Sequence, residues 1–201
     1  MKYFGSPGTC SLSPHIALRE ADLPFEYTKV DLRTKATDGG DYRAINPKGY
    51  VPALVLDDGS LLTENPVIIQ WIADRKPEKG LAPPAGSMER YRLQEWLNFV
   101  CSELHKSVFG PMFNPKCSDE WKQVLRNNME ARFGVLDKHL AGRRYLVGDK
   151  FSVADSYLFT IVRWTGHFKI ALDPWPNLKA HFERIWQRPH VQAAMKAEGL
   201  I

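Results

Sequence analysis

Cys10 is the residue with the most chemistry in reach. It follows Ser6-Pro7-Gly8-Thr9 and directly precedes a stretch with helical periodicity. Unsatisfied backbone N–H groups and the helix dipole at such a start favour an anion, so a thiol there loses its proton more readily. On position alone two readings stand: a reactive thiol, or a small residue filling a turn. Ser11 and Ser13 are rival nucleophiles or donors at the same helix end. Cys101 falls inside a helical run and Cys117 in a Pro/Ser loop, which suits structural or incidental thiols.

Three further groups bear on chemistry. Gly49-Tyr50-Val51-Pro52-Ala53 sets a Val-Pro just ahead of a strand. Proline cannot donate to a sheet ladder, and a cis bond there would turn the Val51 backbone outward, where a peptide-like ligand can pair with it. Leu62-Thr63-Glu64-Asn65-Pro66 marks a helix start, whose N–H groups attract a carboxylate while Glu64 can accept from an amine; ordinary capping explains the same residues. On the helix through Glu95–Lys106, Asn98, Ser102 and His105 stand at i, i+4 and i+7. At α-helical pitch all three share one face, and that polar row faces solvent, a partner subunit or a cleft.

Other chemistries lack their signatures. There is no Walker loop, no GxGxxG after a strand, no GxSxG elbow and no HExxH. Three cysteines at wide spacing supply neither a disulfide framework nor a zinc set. No metal is expected.

The elements that must hold these residues fall into two parts. Lys2-Tyr3-Phe4 reads as a strand, residues 12–23 as a helix stopped by Pro24, and 25–32 as a second strand. An irregular crossover with Asp38-Gly39-Gly40 follows. Next, 53–56 and 61–63 flank Asp57-Asp58-Gly59-Ser60, a hairpin signal. A helix is expected over 64–76, burying Val67, Ile68, Trp71 and Ile72. That order builds an α/β domain around a four-stranded mixed sheet. The stretch 77–87 (PEKGLAPPAGS) is Pro- and Gly-rich and reads as a stiff linker. Beyond it no strand-like alternation occurs. Helices are expected near 88–110, 119–140, 153–168 and 175–187, with a short one near 190–197. Ser152-Val153-Ala154-Asp155 fits a capping box, expected to serve folding. The domains are therefore placed at 1–78 and 88–201, joined by 79–87.

Composition narrows the class further. A 201-residue chain, 44% hydrophobic and 25% charged, is that of an ordinary globular protein. At this length folding buries about 70% of the unfolded surface, so no staple is needed. The formal net charge of +4 is spread without a basic stripe, so nucleic acid is not an expected partner. No apolar run approaches a membrane span, and the start Met1–Pro7 lacks a signal core. A reducing cytoplasmic setting is expected.

Taken together, the motifs resemble those of the glutathione transferases, the bacterial beta class above all. The carriers are Ser6–Leu12, Asn46–Leu54, Leu61–Glu64, Glu95–Asn98, Ser102–Lys106, Ser152–Asp155 and the closing Ala197–Leu200. The resemblance implies a thioredoxin-like N-terminal domain, an all-helical C-terminal domain and a cytoplasmic homodimer. It implies glutathione as co-substrate: Val51, before a cis-Pro52, on the cysteinyl backbone, Glu64 and Asn65 on the γ-glutamyl end, and Lys35 on the glycine carboxylate. Cys10 would sit at the sulfur. Asn98, Ser102 and His105 would project toward it, with Glu103 and Leu104 among the contacts. Asn65 stands where related enzymes often carry a smaller residue, and Gly5-Ser6 where some carry Tyr-Lys, so no catalytic tyrosine is assigned.

The implied reaction is attack of the glutathione thiolate on a small hydrophobic electrophile. An apolar pocket for it is expected between the domains, from Phe109, Pro111, Phe113, Trp164, His167 and Phe168; helix packing is the other reading of those six. Three alternatives accompany this one: thiol–disulfide exchange through Cys10, reductive dehalogenation, and non-catalytic binding of hydrophobic ligands.

Overall fold

A computed structural model describes residues 1–201. The chain divides into two compact units, Met1–Ala82 with Gln187–Ile201, and Pro83–Trp186. The sequence reading kept 187–201 with the helical domain. The structure returns that segment to the first unit, through contacts between residues far apart in the chain.

In the first unit, β1 (Lys2–Gly5) is followed by α1 (Leu12–Glu20), β2 (Glu26–Lys29), the small pair β3 (Ala36–Thr37) and β4 (Gly40–Asp41), then β5 (Ala53–Val55), β6 (Leu61–Thr63) and α2 (Asn65–Arg75). The main sheet runs β2-β1-β5-β6. β1 is parallel to β2 and antiparallel to β5, which pairs antiparallel with β6. The second strand is thus shorter than the 25–32 expected, and the crossover carries the small β3–β4 pair. Alternation along β1 sends successive side chains to opposite faces. Phe4 joins Val30, Tyr42 and Ala53 in one core cluster, while Tyr3 meets His15, Phe25 and Tyr27 on the other face. At the end of β1, a Cβ on Gly5 would lie 3.0 Å from both Ser11 Oγ and Tyr27 Cε2, so a side chain there would require those neighbours to shift.

Helix α2 buries Ile68, Ile69, Ile72 and Ala73, and Val67 is exposed. The inner stripe is therefore set one position away from the expected one, and Trp71 at its border carries the Arg75 guanidinium over its ring. After the long excursion through the second unit, α9 (Pro189–Ala197) returns to pack on α1. It buries Val191, Ala194 and Met195. Just ahead of it, Arg188 grips both carboxylate oxygens of Glu20 at 2.7 Å, the planar fork that matches a carboxylate best.

The second unit is helical. It comprises α3 (Met88–Phe99), a π-wound segment Val100–Phe109, α4 (Gly110–Met112), α5 (Asp119–Leu140), α6 (Val153–Val162), α7 (Trp164–His167) and α8 (Pro176–Trp186). The helix expected over 153–168 breaks at Arg163. Every residue of α6 is buried, the polar Asp155, Ser156 and Thr160 included. The capping box at its start is present. Asp155 is fully buried, and its carboxylate accepts from Ser152 N–H, Ser152 Oγ, Leu146 N–H and His181 Nε2 at 2.8–2.9 Å. No helix is long and apolar enough to cross a membrane.

Replacing Asp155 by alanine leaves the Leu146 and Ser152 amides and the His181 ring without an acceptor. Asp155→Ala is expected to lose roughly 3 kcal/mol or more of stability. Urea denaturation checks this, and a midpoint equal to wild type would refute it.

Candidate active site

The turn before α1 is built around Ser11, not around open space. Ser11 is fully buried. Its hydroxyl accepts the Ser6 N–H at 2.9 Å, reaches the Ser6 carbonyl at 3.1 Å and lies 2.8 Å from Thr9 Oγ1. The Tyr3 hydroxyl donates to the Ser11 carbonyl. Burial, reinforced by the nearby Glu198 carboxylate, holds the Tyr3 phenol well above its usual pKa, so it remains a donor. Ser13 is also buried. Of the three rivals at this helix end, only Cys10 keeps surface, 8% of it, and its Sγ donates to the Val51 carbonyl at 3.5 Å.

Two long-range contacts fix that turn. The Asn65 amide donates to the Cys10 carbonyl at 2.7 Å and accepts from Ser13 Oγ at 3.4 Å. Buried at 4% exposure, the Asn65 side chain is thus committed to α1, which leaves its backbone for any ligand. From the far end of the chain, Glu198 accepts the Gly8 N–H at 3.0 Å and holds His15 Nδ1 at 2.9 Å, while Arg19 Nε donates to His15 Nε2 at 3.1 Å. An Arg donor at Nε2 requires a neutral ring with its proton on Nδ1, facing Glu198. Sequence reasoning missed this chain, since nothing local links residues 8, 15 and 198.

The Val51–Pro52 bond is cis. Val51 sits just outside the ladder, whose register begins at Ala53. The approach to it is rigidly held: the Tyr50 carbonyl accepts from Tyr42 OH at 2.8 Å and Asn46 Nδ2 at 2.7 Å. Lys35, itself at φ +59°, donates to the Gly49 carbonyl at 2.9 Å, with its ammonium over the Tyr50 ring. Glu64 has φ +72°. A non-glycine residue there costs about 1–3 kcal/mol and is found where the surroundings over-determine it, often at functional sites. Its C=O accepts Val67 N–H and Ile68 N–H at 3.0–3.1 Å, and its exposed carboxylate pairs with Lys48 at 2.9 Å. Lys48 was not singled out in the sequence. The first unit therefore brings together Cys10, Val51, Pro52 and Asn65, with Lys35 and Glu64 anchored to the same 46–52 loop.

In the second unit the expected polar row does not survive the winding. A π turn holds more residues than an α turn, so positions i, i+4 and i+7 no longer stack. Asn98 and Ser102 are exposed, whereas His105 is half-buried. Asn98 lines a groove of about 340 Å³ with Met88, Tyr91, Arg92, Gln94 and Glu95. The Ser102 hydroxyl donates back to the Asn98 carbonyl at 3.0 Å. Glu103 is paired with Arg132 at 3.0 Å. The Leu104 side chain is completely buried and offers no ligand surface.

The expected aromatic set does cluster. Trp164 stands at its centre, with ring centroids 5.2 Å from His105, 5.8 Å from Phe109 and 5.2 Å from Phe113. Phe113, 43% exposed, also touches His167 and Phe168, at 5.2 and 4.8 Å. Pro111 is half-buried. Phe109 is fully buried between Phe133 and Trp164, a packing residue and not a surface. No group of three His, Cys, Asp or Glu side chains is placed to hold a metal.

With this geometry in hand, known proteins supply a context. Residues 8–75 match the glutathione S-transferase N-terminal domain and residues 100–189 the glutathione S-transferase C-terminal domain. The glutathione S-transferase GstA of Escherichia coli O157:H7 is 44% identical over 201 residues, covering all of both chains. The structure of a sphingomonad glutathione S-transferase complexed with glutathione is similar over the whole of both chains, at 50% identity and TM-score 0.95. A bacterial beta-class glutathione S-transferase of Sphingomonas chungbukensis matches equally fully, at 50% identity and TM-score 0.96.

The bond from Asn65 to the Cys10 carbonyl can be tested directly. Asn65→Ala is expected to destabilise the fold by about 1–3 kcal/mol, the cost of stranding a buried acceptor, and to speed alkylation of Cys10 by iodoacetamide. An unchanged denaturation midpoint together with an unchanged alkylation rate would show that the amide does not hold the turn.

Proposed function

The chain belongs to the glutathione S-transferase family, and we propose that it joins the glutathione thiol to small hydrophobic electrophiles. The observation that carries this reading is the Cys10 thiol. It retains surface, lies in front of α1 and is 3.5 Å from the carbonyl of Val51, beside a cis-proline and the strained start of α2. A tripeptide thiol is the ligand this arrangement suits. Val51 pairs with its cysteinyl backbone, and Glu64 and the Asn65 backbone take the γ-glutamyl end. Lys35 takes the glycine carboxylate.

Catalysis then amounts to stabilising a thiolate and positioning it. The dipole and N–H groups at the start of α1 and the Cys10 S–H lower the cost of the anion. Orientation supplies much of the rest. Within the second unit, Phe113, Trp164, His167, Phe168 and Pro111 form an apolar surface suited to a hydrophobic ligand. The enzyme works as a homodimer in the cytoplasm; exposed Met88 and Tyr91 on α3 support a partner surface.

The Cys10 thiol favours a second activity on the same site. Cys10 thiolate attacks the glutathione sulfur of a mixed disulfide and expels the other thiol. A second glutathione then releases oxidised glutathione and restores Cys10.

Calorimetry with glutathione, conjugation of 1-chloro-2,4-dinitrobenzene and reduction of a glutathione mixed disulfide test both readings. Cys10→Ala is expected to abolish disulfide reduction while conjugation persists within about tenfold. Absence of glutathione binding at millimolar concentration would remove the transferase reading altogether.

A further inference from the structure

Lys48 joins two parts of the first unit that the sequence keeps apart. Its backbone N–H is held by the Asn46 side-chain oxygen at 3.2 Å, and Asn46 itself is buried. From that pinned backbone the ammonium crosses to the end of β6. There it donates to Thr63 Oγ1 at 3.0 Å and to Glu64 Oε1 at 2.9 Å. An ammonium has three N–H donors, so one is left over. Glu64 keeps its second oxygen, Oε2, and the two side chains are 52% and 58% exposed. An ion pair this open contributes little to stability by itself. It presents a spare donor and a spare acceptor, side by side, to a ligand.

Next in the chain, the start of α2 is poor in donors. Pro66 has no N–H, and the Val67 and Ile68 amides are both spent on the Glu64 carbonyl, which leaves the Asn65 N–H. A ligand carboxylate brought there gains one backbone donor and meets the like charge of Glu64, which repels it. A cation has to balance that repulsion, and the cation at Glu64 is Lys48. We propose that Lys48 is a specificity-determining residue that, together with Glu64, recognises an α-amino acid zwitterion. Lys48 takes the α-carboxylate and Glu64 the α-ammonium. In glutathione such a zwitterion exists only at the γ-glutamyl end, because that residue is linked through its side-chain carboxyl. The charges also match: two carboxylates and one ammonium on the ligand face Lys35, Lys48 and Glu64. This assignment rests on the reading above, in which the γ-glutamyl end lies at Glu64 and the glycine end at Lys35.

Calorimetry of the full-length protein with three peptides tests the pairing. They are glutathione, glutaryl-Cys-Gly, which lacks the α-ammonium, and 4-aminobutanoyl-Cys-Gly, which lacks the α-carboxylate. Wild type is expected to bind each analogue about tenfold more weakly than glutathione, the scale of one hydrogen bond to a charged group. Lys48→Met should weaken glutathione about tenfold and bring it within about twofold of the aminobutanoyl peptide. The glutaryl peptide should stay about tenfold weaker than glutathione in that variant, since Glu64 still serves the ammonium. Lys48→Arg keeps the charge and should retain the wild-type preference for the α-carboxylate. A Lys48→Met protein that still prefers glutathione over the aminobutanoyl peptide as wild type does overturns the proposal. So does a loss that falls on the amine instead, with glutathione and the glutaryl peptide converging, because Lys48 would then only support Glu64. Wild type that binds none of the three at millimolar concentration overturns the assignment together with the reading beneath it. Wild type that binds glutathione and the aminobutanoyl peptide equally strikes the Lys48 assignment alone.

Discussion

The carbonyl of Cys10 is the point on which the first unit turns. It accepts the Asn65 amide, and so ties the start of α1 to the start of α2. Unpaired, a buried carbonyl costs as much as a lost hydrogen bond, so the amide leaves the turn little freedom. Ser11 locks the same turn from within through Ser6 and Thr9, and Glu198 locks it from the chain terminus through Gly8. The result is a cysteine whose backbone is over-determined and whose residue retains 8% of its surface.

Rigidity of this kind explains how an unfavourable backbone persists beside it. Glu64 lies at φ +72° between the β6 ladder and the first turn of α2. Its carbonyl serves two amides of the helix, and its carboxylate is steered by Lys48. Lys35 is held in the same manner, by the Gly49 carbonyl. The charged groups proposed for a tripeptide are thus held before binding, Lys35 by a backbone carbonyl and Glu64 by Lys48, which reduces the ordering that opposes binding.

The second unit solves a different problem. Its π-wound segment is hydrogen-bonded at a wider pitch than the helix preceding it, a device that recurs at functional sites because it redirects one side chain without breaking the rod. Leu104 and Phe109 point inward as core, while His105 is turned onto Tyr157 and Trp164. The aromatic cluster then extends outward from Trp164 to the exposed ring of Phe113.

Local patterning determined a great deal here. The Asp-Gly hairpin, Pro24 ending the first helix, the Pro-rich stretch after α2, the capping box at Ser152 and the helical character beyond residue 88 all depend on neighbours in the chain, so the sequence alone displays them. Cys10 before a helix and Val51-Pro52 before a strand were legible for the same reason. Tertiary structure decided what each polar group faces. That Asn65 turns to Cys10, that Ser11 is consumed internally, and that 187–201 joins the first unit depend on partners 55, 5 and 168 or more residues away. The pitch of 100–109 was hidden too, because α and π winding use the same residues and differ only in which amide meets which carbonyl. Only packing brings Tyr157 against His105, 52 residues away in the chain.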